Sequence, residues 1–444
     1  MRVAIVGAGW AGMAAAVAAT QAGHHATVFE AARAVGGRAR ALNGTLPDGM
    51  PVVLDNGQHI LIGAYSETLQ YMRTVGVPPE AALQRLPLTL QFPDGDGLVL
   101  PLWPSPLDAL AGILRARGWR WADKWSLLQA ASGWQRKGFA CPPNTSVADL
   151  CAGLTPTVLQ TLIDPLCVSA LNTPADRASG QVFLTVLRDS LFGGSGSSNL
   201  LLPRIDLAAL FPQAAVQWLQ AQGGTVHLGQ RVDTLQFAGS DTRTAWRVNG
   251  EVFDAVLWAT SSSFASQALM ESALIAPESI AIAMRRWAAV ARALQFEAIT
   301  TVYAHAPGVR LPQPMLALRT DPARAPAQFV FDRGQLAGQS PGVQGLLAFV
   351  VSASTGERDA LQAQVLAQAH AQLADVLQGR TLQAVQTVVE KRATFACTPG
   401  LQRPAPTIAP GLLACGDYVD GPYPATLEGA VRSSTHAISL LETS

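Results

Sequence analysis

The first thirty residues hold two short apolar runs joined by a glycine-rich turn and a run of small residues. The run 3–6 is typical of a buried parallel strand, and the spacing G-x-G-x-x-G follows at once over 7–12. Small, helix-favouring residues predict a helix over 13–22, and 26–29 reads as a second strand that ends at the acid Glu30. This order of elements predicts a Rossmann-type unit that binds a dinucleotide.

Each glycine of the turn has its own physical reason. Gly7 permits the tight turn, Gly9 lets the backbone approach a pyrophosphate, and Gly12 lets the helix pack closely on the strand. The N-terminus of that helix offers unpaired N–H groups and a partial positive charge to phosphates. Glu30 is placed to accept hydrogen bonds from an adenosine ribose, and its charge disfavours the 2′-phosphate of NADP.

Composition argues against a disordered chain and against a nucleic-acid-binding protein. Charged residues make up 14% of the 444 residues and hydrophobic residues 49%. Because charged residues usually reach about 25%, we expect a large core rather than a disordered chain. The 31 basic and 31 acidic residues cancel, so we expect no nucleic-acid partner.

Cysteine and histidine usage indicates neither a disulfide framework nor a metal site. The five cysteines form no C-x-x-C pair, and the seven histidines show no H-x-x-x-H spacing. This cysteine usage fits a reducing cytoplasm. The charge-free stretch 3–23 suggests a signal peptide or membrane span, but its glycines and the strand after it favour the nucleotide unit.

A second signature follows the acid. Gly36 stands six residues past Glu30 and is followed by Gly37 and Arg38, with Arg40 beyond. This pattern resembles the Gly-Gly-Arg signature of the amine oxidase and carotenoid desaturase superfamily of flavoproteins. The arginine of that superfamily pairs with the FAD pyrophosphate, a role suited to its forked guanidinium. The resemblance implies FAD rather than NAD as the cofactor.

Two later segments resemble the parts of that superfamily that return to the cofactor. A helix is expected over 207–222, a strand over 225–228 and another strand over 254–260. The resemblance implies that backbone near Val232 holds the adenine. Without the resemblance, neither strand indicates a role in cofactor binding.

The C-terminal segment carries a stronger resemblance. The run 411–415 reads as a strand, Gly416 and Asp417 follow it, and a helix begins near Ala425 after a Gly/Pro-rich break. In the superfamily the Gly-Asp pair binds the ribityl chain and pyrophosphate. A helix N-terminus here would stabilise negative charge on the reduced flavin. The alternative is a capped final helix with no such role.

The segment D-N-G-Q-H-I-L-I-G-A-Y over 55–65 is similar to the hydroxysqualene dehydroxylase family, also described as squalene-associated FAD-dependent desaturases. The closing pattern A-C-G-D-Y…Y-P-A-T-L-E-G-A-V over 414–431 is similar to that family too. In the wider superfamily the first segment is a strand that runs along the flavin ring. The resemblance implies loss of the hydroxyl of hydroxysqualene, an apolar isoprenoid substrate, in squalene and hopanoid synthesis. A squalene-synthase-type enzyme would then act upstream.

Loss of a hydroxyl needs an acid, and three residues are candidates. His59 is the histidine predicted beside the flavin, and histidine titrates near neutral pH. The alternative is that His59 and Gln58 only hydrogen-bond the isoalloxazine. Asp55 and Tyr423 are the other two candidates, and each has a purely structural alternative. Three rival functions stay open: a carotenoid-type desaturase, an amine oxidase, and a flavin-bound partner of squalene synthase that is not an enzyme.

The sequence thus predicts an α/β fold in which a Rossmann-type FAD-binding domain is interleaved with a second, α+β substrate domain. The FAD-binding domain is expected over 1–75, 201–263 and 396–444, and the substrate domain over 76–200 and 264–395. The expected cofactor contacts are Gly7, Gly9, Trp10, Ala11, Gly12, Glu30, Ala31, Gly37, Arg38, Arg40, Gly57, Gln58, His59, Val232, Gly416, Asp417, Ala425, Thr426 and Leu427.

One segment of the substrate half is rich in tryptophan and basic residues. Half of the ten tryptophans and six basic residues lie within 101–140, and helical spacing is found over 107–114 and 121–128. Such a pattern suits peripheral contact with the inner face of the cytoplasmic membrane. The alternative is a core stripe with a solvated face.

Overall fold

A computed structural model of the chain describes residues 1–240, 243–337 and 343–443. The strands in these ranges are β1 (Arg2–Val6), β2 (His25–Glu30), β3 (Ala41–Thr45), β4 (Pro51–Asp55), β5 (Leu61–Ile62), β6 (Leu83–Leu86), β7 (Thr89–Gln91), β8 (Gly97–Val99), β9 (Leu200–Pro203), β10 (Thr225–Leu228), β11 (Gln236–Phe237), β12 (Trp246–Val248), β13 (Glu251–Phe253), β14 (Ala255–Trp258), β15 (Phe296–His305), β16 (Met315–Ala317), β17 (Phe329–Asp332), β18 (Leu346–Ser352), β19 (Gln383–Phe395), β20 (Thr407–Ala409) and β21 (Leu412–Ala414).

The helices in the same ranges are α1 (Trp10–Gln21), α2 (Ser66–Thr74), α3 (Pro79–Ala82), α4 (Leu107–Arg115), α5 (Trp121–Arg136), α6 (Val147–Leu150), α7 (Pro156–Val158), α8 (Asp164–Leu171), α9 (Gly180–Leu191), α10 (Leu207–Leu210), α11 (Pro212–Ala221), α12 (Ser262–Ser272), α13 (Glu278–Ala293), α14 (Arg333–Leu336), α15 (Arg358–Gln372), α16 (Ala374–Leu377) and α17 (Leu427–Glu442). A π-helical turn (Leu159–Ile163) joins α7 to α8.

A six-stranded sheet with the order β10-β2-β1-β14-β21-β20 forms the first layer. Its first five strands are parallel and β20 is antiparallel. The central strand β1 pairs in register with both neighbours, Val3 lying opposite Ala26 and Ala255. The three stretches of chain predicted to bind the cofactor each contribute two strands to this sheet. The five segment boundaries themselves stay a prediction.

Helix α1 explains the charge-free stretch near the N-terminus. Every residue over 10–19 is buried, because α1 packs on the sheet between α11 and α17. A helix that is apolar on all sides is a core helix when other elements cover it. Ser434 of α17 donates to the carbonyl of Ala11 at 2.8 Å. In the described residues no helix is long and apolar enough to cross a bilayer.

The second layer is an antiparallel sheet with the order β16-β17-β18-β15-β19. Side chains alternate along its strands: Val302 and Ala304 pack in one core with Val365 of α15, whereas Tyr303 faces the large central core. The sheet is therefore covered by α15 on one face. Its other face is directed toward the six-stranded sheet.

Two elements differ from the expectation. The helix predicted over 207–222 is divided into α10 and α11 at Phe211, whose φ of −151° is not helical. Pro212 causes the break, because proline disfavours a helical conformation in the residue before it. The strand expected along 54–65 ends at Asp55, and irregular backbone over 56–60 follows before β5. This backbone presents its peptide groups and side chains to a cavity instead of to a neighbouring strand.

Candidate active site

A cavity of about 760 Å³ lies between the two large sheets. One end is lined by backbone at the carboxyl ends of β1 and β14, and the other by side chains of the substrate half. Ligands of open α/β sheets bind outside the carboxyl ends of the strands. The cavity therefore joins the expected cofactor site to a second chamber.

The second chamber is mostly apolar. Side chains from α4, α5, the π-helical turn, α8, α9 and one face of the five-stranded sheet line it, and its aromatic residues include Trp134, Phe139, Phe192, Phe329 and Phe331. A strongly polar ligand would lose its hydration here without enough hydrogen bonds to replace it. The chamber is suited to a hydrocarbon.

The glycine turn presents an anion site at the cofactor end. Gly7 adopts a φ of +108° and its N–H donates to the carbonyl of Phe29 at 2.7 Å. Gly9 is the N-cap of α1 and supplies no side-chain acceptor for the first N–H groups of the helix. Unpaired N–H groups at a helix N-terminus bind phosphate well. The turn therefore fits the pyrophosphate of a dinucleotide.

Gly9 and Gly37, which belong to separate turns, face each other beside this anion site. A Cβ on Gly9 would lie 3.8 Å from the Cα of Gly37, and a Cβ on Gly37 would lie 3.3 Å from the Cα of Gly9. Their backbones line the cavity without side chains. A Cβ at either position would narrow the cavity between the two turns.

Glu30 braces the turn as well as facing the cavity. Its two carboxylate oxygens accept the N–H groups of Ala8 at 2.7 Å and Ala32 at 2.8 Å. Each carboxylate oxygen has a second lone pair, so ribose hydroxyls still find acceptors there. The acid thus has a structural role that the motif alone did not indicate.

Arg38 connects the first and last cofactor segments. Its Nη2 lies 2.5 Å from Oδ1 of Asp417, and its Nη1 donates to the carbonyl of Ala393 at 2.6 Å. Burial lowers the pKa of Arg38, but the Asp417 carboxylate outweighs that effect, so the guanidinium is charged.

Arg40 differs from the expectation: it donates to the carbonyl of Gly37 at 2.9 Å and does not line the cavity.

The C-terminal helix directs its N-terminus toward the cavity. Thr426, the N-cap of α17, accepts the N–H of Gly429 at 2.9 Å, and Leu427 lines the cavity. A Cβ on Gly429 would lie 1.9 Å from the carbonyl oxygen of Tyr423, so the preceding turn packs tightly on the helix. The hydroxyl of Tyr418 is buried in the cavity wall and lacks a hydrogen-bond partner within the described ranges. A bound cofactor would supply one.

His59 lines the cavity from the irregular backbone over 56–60. Its Nδ1 is 2.7 Å from the carbonyl of Gly57, an acceptor, so Nδ1 carries the proton. Burial lowers the pKa of His59; the Gly57 carbonyl opposes that shift and the Arg38 charge adds to it. The imidazole is therefore neutral near pH 7, with Nε2 as an acceptor.

Asp55 does not line the cavity, which corrects the expectation that it is a candidate acid. It is 1% exposed, accepts the N–H of Leu207 at 2.9 Å, and lies 3.5 Å from Nη2 of Arg333. Burial raises the pKa of Asp55 to about 6, although Arg333 and the Leu207 N–H oppose that shift. Arg333 also donates to Oε1 of Gln58 at 3.2 Å. Asp55 thus contacts protein groups that hold the 56–60 backbone in place.

Tyr423 lies in the cavity wall beside an acid from the substrate half. Its hydroxyl donates to Oδ2 of Asp189 at 2.8 Å, and Asp189 is held by Arg188 at 2.7 Å. Burial raises the pKa of Tyr423, and the Asp189 carboxylate raises it further. The phenol thus keeps its proton and directs it toward Asp189.

Most of the expected site residues line the cavity: Gly7, Gly9, Trp10, Ala11, Glu30, Ala31, Gly37, Arg38, Gly57, Gln58, His59, Val232, Gly416, Asp417, Tyr423, Ala425, Thr426 and Leu427. Gly12, Arg40 and Asp55 do not. Contact of the lining residues with the cofactor stays a prediction.

Sequence reasoning missed four residues, three that line the cavity and Arg333, which does not line it but contacts Gln58. Asn56 and Glu390 line the cavity and are joined by a hydrogen bond of 3.0 Å; Asp189 and Arg333 are described above. Asn56 stands inside the D-N-G-Q-H pattern, and that pattern is the sequence signal that could have identified it. The other three come from segments without a motif.

The comparison with known proteins decides the family. Residues 10–437 match the model of the flavin containing amine oxidoreductases. The chain belongs to this family. An oxidoreductase from Methanosarcina mazei has the same fold, with a TM-score of 0.68 and 17% identity over 100% of both chains. The predicted α/β fold and FAD cofactor are confirmed, and the chain is an FAD-dependent oxidoreductase.

Relatives within this flavoprotein family carry two names. Hydroxysqualene dehydroxylases from Zymomonas mobilis subsp. mobilis and Rhodopseudomonas palustris are 27% and 28% identical to this flavoenzyme. The alignments cover 98% and 99% of this chain and 98% of each relative. A zeta-carotene desaturase from Synechocystis is 39% identical, but over 19% of this chain. The resemblance to hydroxysqualene dehydroxylases seen in the sequence is confirmed over nearly the whole length.

Proposed function

We propose that this flavoenzyme removes the hydroxyl of hydroxysqualene reductively, giving squalene and water in squalene and hopanoid synthesis. The observation that carries the proposal is a continuous cavity whose glycine-lined end leads into an apolar chamber. The full-length similarity to hydroxysqualene dehydroxylases supports this substrate over other hydrocarbons. A squalene-synthase-type enzyme would act upstream.

The reaction balances with one hydride and one proton. The allylic C–O bond breaks, and the oxygen leaves as water when an acid supplies the proton. The resulting cation is delocalised over the allylic carbons. Reduced FAD, held at the glycine-lined end of the cavity, would supply the hydride that replaces the hydroxyl. The aromatic lining of the chamber keeps water away from the cation.

Two side chains that line the cavity are suited to the hydroxyl. His59, neutral with Nε2 as an acceptor, is suited to receive the hydroxyl hydrogen and orient the alcohol. Acting as the acid would require its protonated form, which its lowered pKa makes scarce near pH 7. Tyr423 keeps its proton beside Asp189 and is the other candidate acid.

Replacing His59 by alanine is expected to leave FAD bound and to lower turnover about 100-fold or more, the usual scale of acid–base or orienting help. The pH profile of the parent enzyme separates the two roles. An acid role predicts that kcat falls as the pH rises through the lowered pKa of His59, whereas an orienting role predicts no such fall. Turnover by His59→Ala within about twofold of the parent would exclude both roles.

The reaction itself is tested without oxygen. The yellow protein is photoreduced in detergent, hydroxysqualene is added, and flavin absorbance is followed while products are extracted. We expect the flavin to reoxidise as squalene forms. A carotenoid-type desaturase, the rival supported by the zeta-carotene desaturase match, would instead have its oxidised flavin bleached by a saturated precursor. A flavin-bound partner that is not an enzyme would show neither change.

A further inference from the structure

Helices α4 and α5 and the loop before α4 expose a row of large apolar side chains. These residues, called here the Leu–Trp face, are Leu102, Trp103, Leu107, Leu110, Leu114, Trp121 and Trp125. Trp121 is 75% exposed and Trp125 is 68% exposed. They stand four positions apart and so share one side of α5. Large exposed apolar patches with a polar rim are typical of sites that contact proteins or membranes.

The opposite sides of the same helices line the apolar chamber. Ala109 and Ile113 of α4 and Leu127, Ala131 and Trp134 of α5 are cavity-lining residues. Each helix therefore presents an apolar stripe inward and a second apolar stripe outward. The two helices form the wall that separates the chamber from the outside at this point.

The segment 101–140, which carries the Leu–Trp face, has more cations than acids. Six cations lie within 101–140 and none is buried; they are Arg115, Arg117, Arg120, Lys124, Arg136 and Lys137. Both acids of this segment are buried and hydrogen-bonded: Asp108 accepts the N–H of Ala109, and Asp123 accepts that of Arg120. The nearest acids on the neighbouring hairpin, Asp94 and Asp96, pair with Arg319. The surface is therefore locally cationic in a chain of net charge zero.

Two of these cations lie over the rings of the face. The guanidinium of Arg115 is 5.0 Å from the centre of the Trp103 ring, and the ammonium of Lys124 is 5.5 Å from that of Trp121. Tryptophan and nearby cations are typical of segments at the interface between lipid headgroups and acyl chains. The indole inserts while the cation remains among the phosphates.

We propose that the Leu–Trp face docks on the surface of an anionic phospholipid bilayer. The alternative occupant, a second copy of the chain, fits the charges poorly, because a two-fold contact would place these cations opposite one another. Docking would bring the wall of the apolar chamber against the bilayer, where the isoprenoid alcohol of the proposed function dissolves. That last step rests on the proposed function, whereas the docking itself does not.

Vesicle sedimentation without any isoprenoid tests the docking. FAD-loaded protein is mixed with vesicles of phosphatidylcholine, or of phosphatidylcholine with phosphatidylglycerol, and the bound fraction is measured. We expect binding to the mixed vesicles to be about tenfold stronger than to the neutral ones. The double variant Trp121→Ser/Trp125→Ser is expected to lose about tenfold or more of that binding.

The matched control is Leu274→Ser, which removes an apolar side chain that is 80% exposed between α12 and α13. It is expected to bind vesicles as the parent does, and an unchanged flavin spectrum and melting temperature show that each variant is folded. Absence of parent binding, normal binding by the double variant, or an equal loss in Leu274→Ser overturns the proposal. A dimer that the double variant abolishes assigns the face to a second copy and also overturns it. Because no substrate is present, none of these results depends on the dehydroxylation.

Discussion

Replacing Gly12 by alanine is expected to destabilise the protein by about 3 kcal/mol or more and to abolish FAD binding. A Cβ at this position would lie 1.8 Å from the carbonyl oxygen of Gly7, a backbone atom that has no rotamer with which to move away. Gly7 and the end of β14 would have to separate from α1. The measurements are the flavin content of the purified protein and its urea unfolding curve.

Gly9→Ala makes the same chemical change three residues earlier and serves as the control. Its Cβ would meet the Cα of Gly37 at 3.8 Å, an ordinary contact, and its φ of −75° suits alanine. We expect the apoprotein to unfold within about 1 kcal/mol of the parent. FAD affinity is expected to fall about tenfold or more, because the Cβ narrows the opening to the pyrophosphate. Normal stability and flavin content in Gly12→Ala would contradict this account of the turn.

Replacing Arg333 by methionine is expected to cost about 3 kcal/mol near pH 7, because Asp55 must then either stay charged in a buried site without its cation or take up a proton. Methionine keeps much of the volume, so the loss is mainly electrostatic. The native pKa of Asp55, about 6, lies above its ordinary value of 3.8. The native state thus holds this proton more tightly than the unfolded state, and the Asp55 contribution to stability falls as the pH rises from about 4 to about 6. Without Arg333 the native pKa of Asp55 is higher still, so the fall in stability continues to a higher pH.

Urea unfolding at about pH 5 and about pH 8 checks the sign, since Arg333→Met is expected to be closer to the parent at the lower pH. The double variant Arg333→Met/Asp55→Asn carries no charge at either of these two positions, and an asparagine oxygen still accepts the Leu207 N–H. It is expected to recover most of the lost stability. Equal loss in the single and double variants would show that Asp55 and Arg333 are not coupled.

The same contacts link stability to the site. Arg333 begins α14 in the substrate half, and its bond to Gln58 lies one residue from His59. Tyr303 of β15 donates to the carbonyl of Asp55 at 2.9 Å, a second contact from the substrate half. The backbone over 56–60 is therefore held by the five-stranded sheet as well as by the cofactor domain.

The parts of the site whose geometry is set by residues close in sequence were predictable. The glycine turn, Glu30 and the N-terminus of α17 lie in short motifs, since their geometry is set by backbone within a few residues. Asp189 and Arg333 were not predictable, because their partners Tyr423 and Gln58 stand 234 and 275 residues away. No local period or spacing marks a side chain whose function depends on so distant a contact.

The sequence by itself determined the nucleotide unit, because that unit depends on glycines and an acid at short, regular spacing. Short motifs that resemble those of hydroxysqualene dehydroxylases implied the FAD cofactor and the family. Only the tertiary structure decided that Asp55 is a buried partner of Arg333 rather than an acid in the cavity. It also decided that α4 and α5 carry apolar side chains on both sides. Burial and charge pairing arise when distant segments pack, and a sequence pattern does not specify which segments meet.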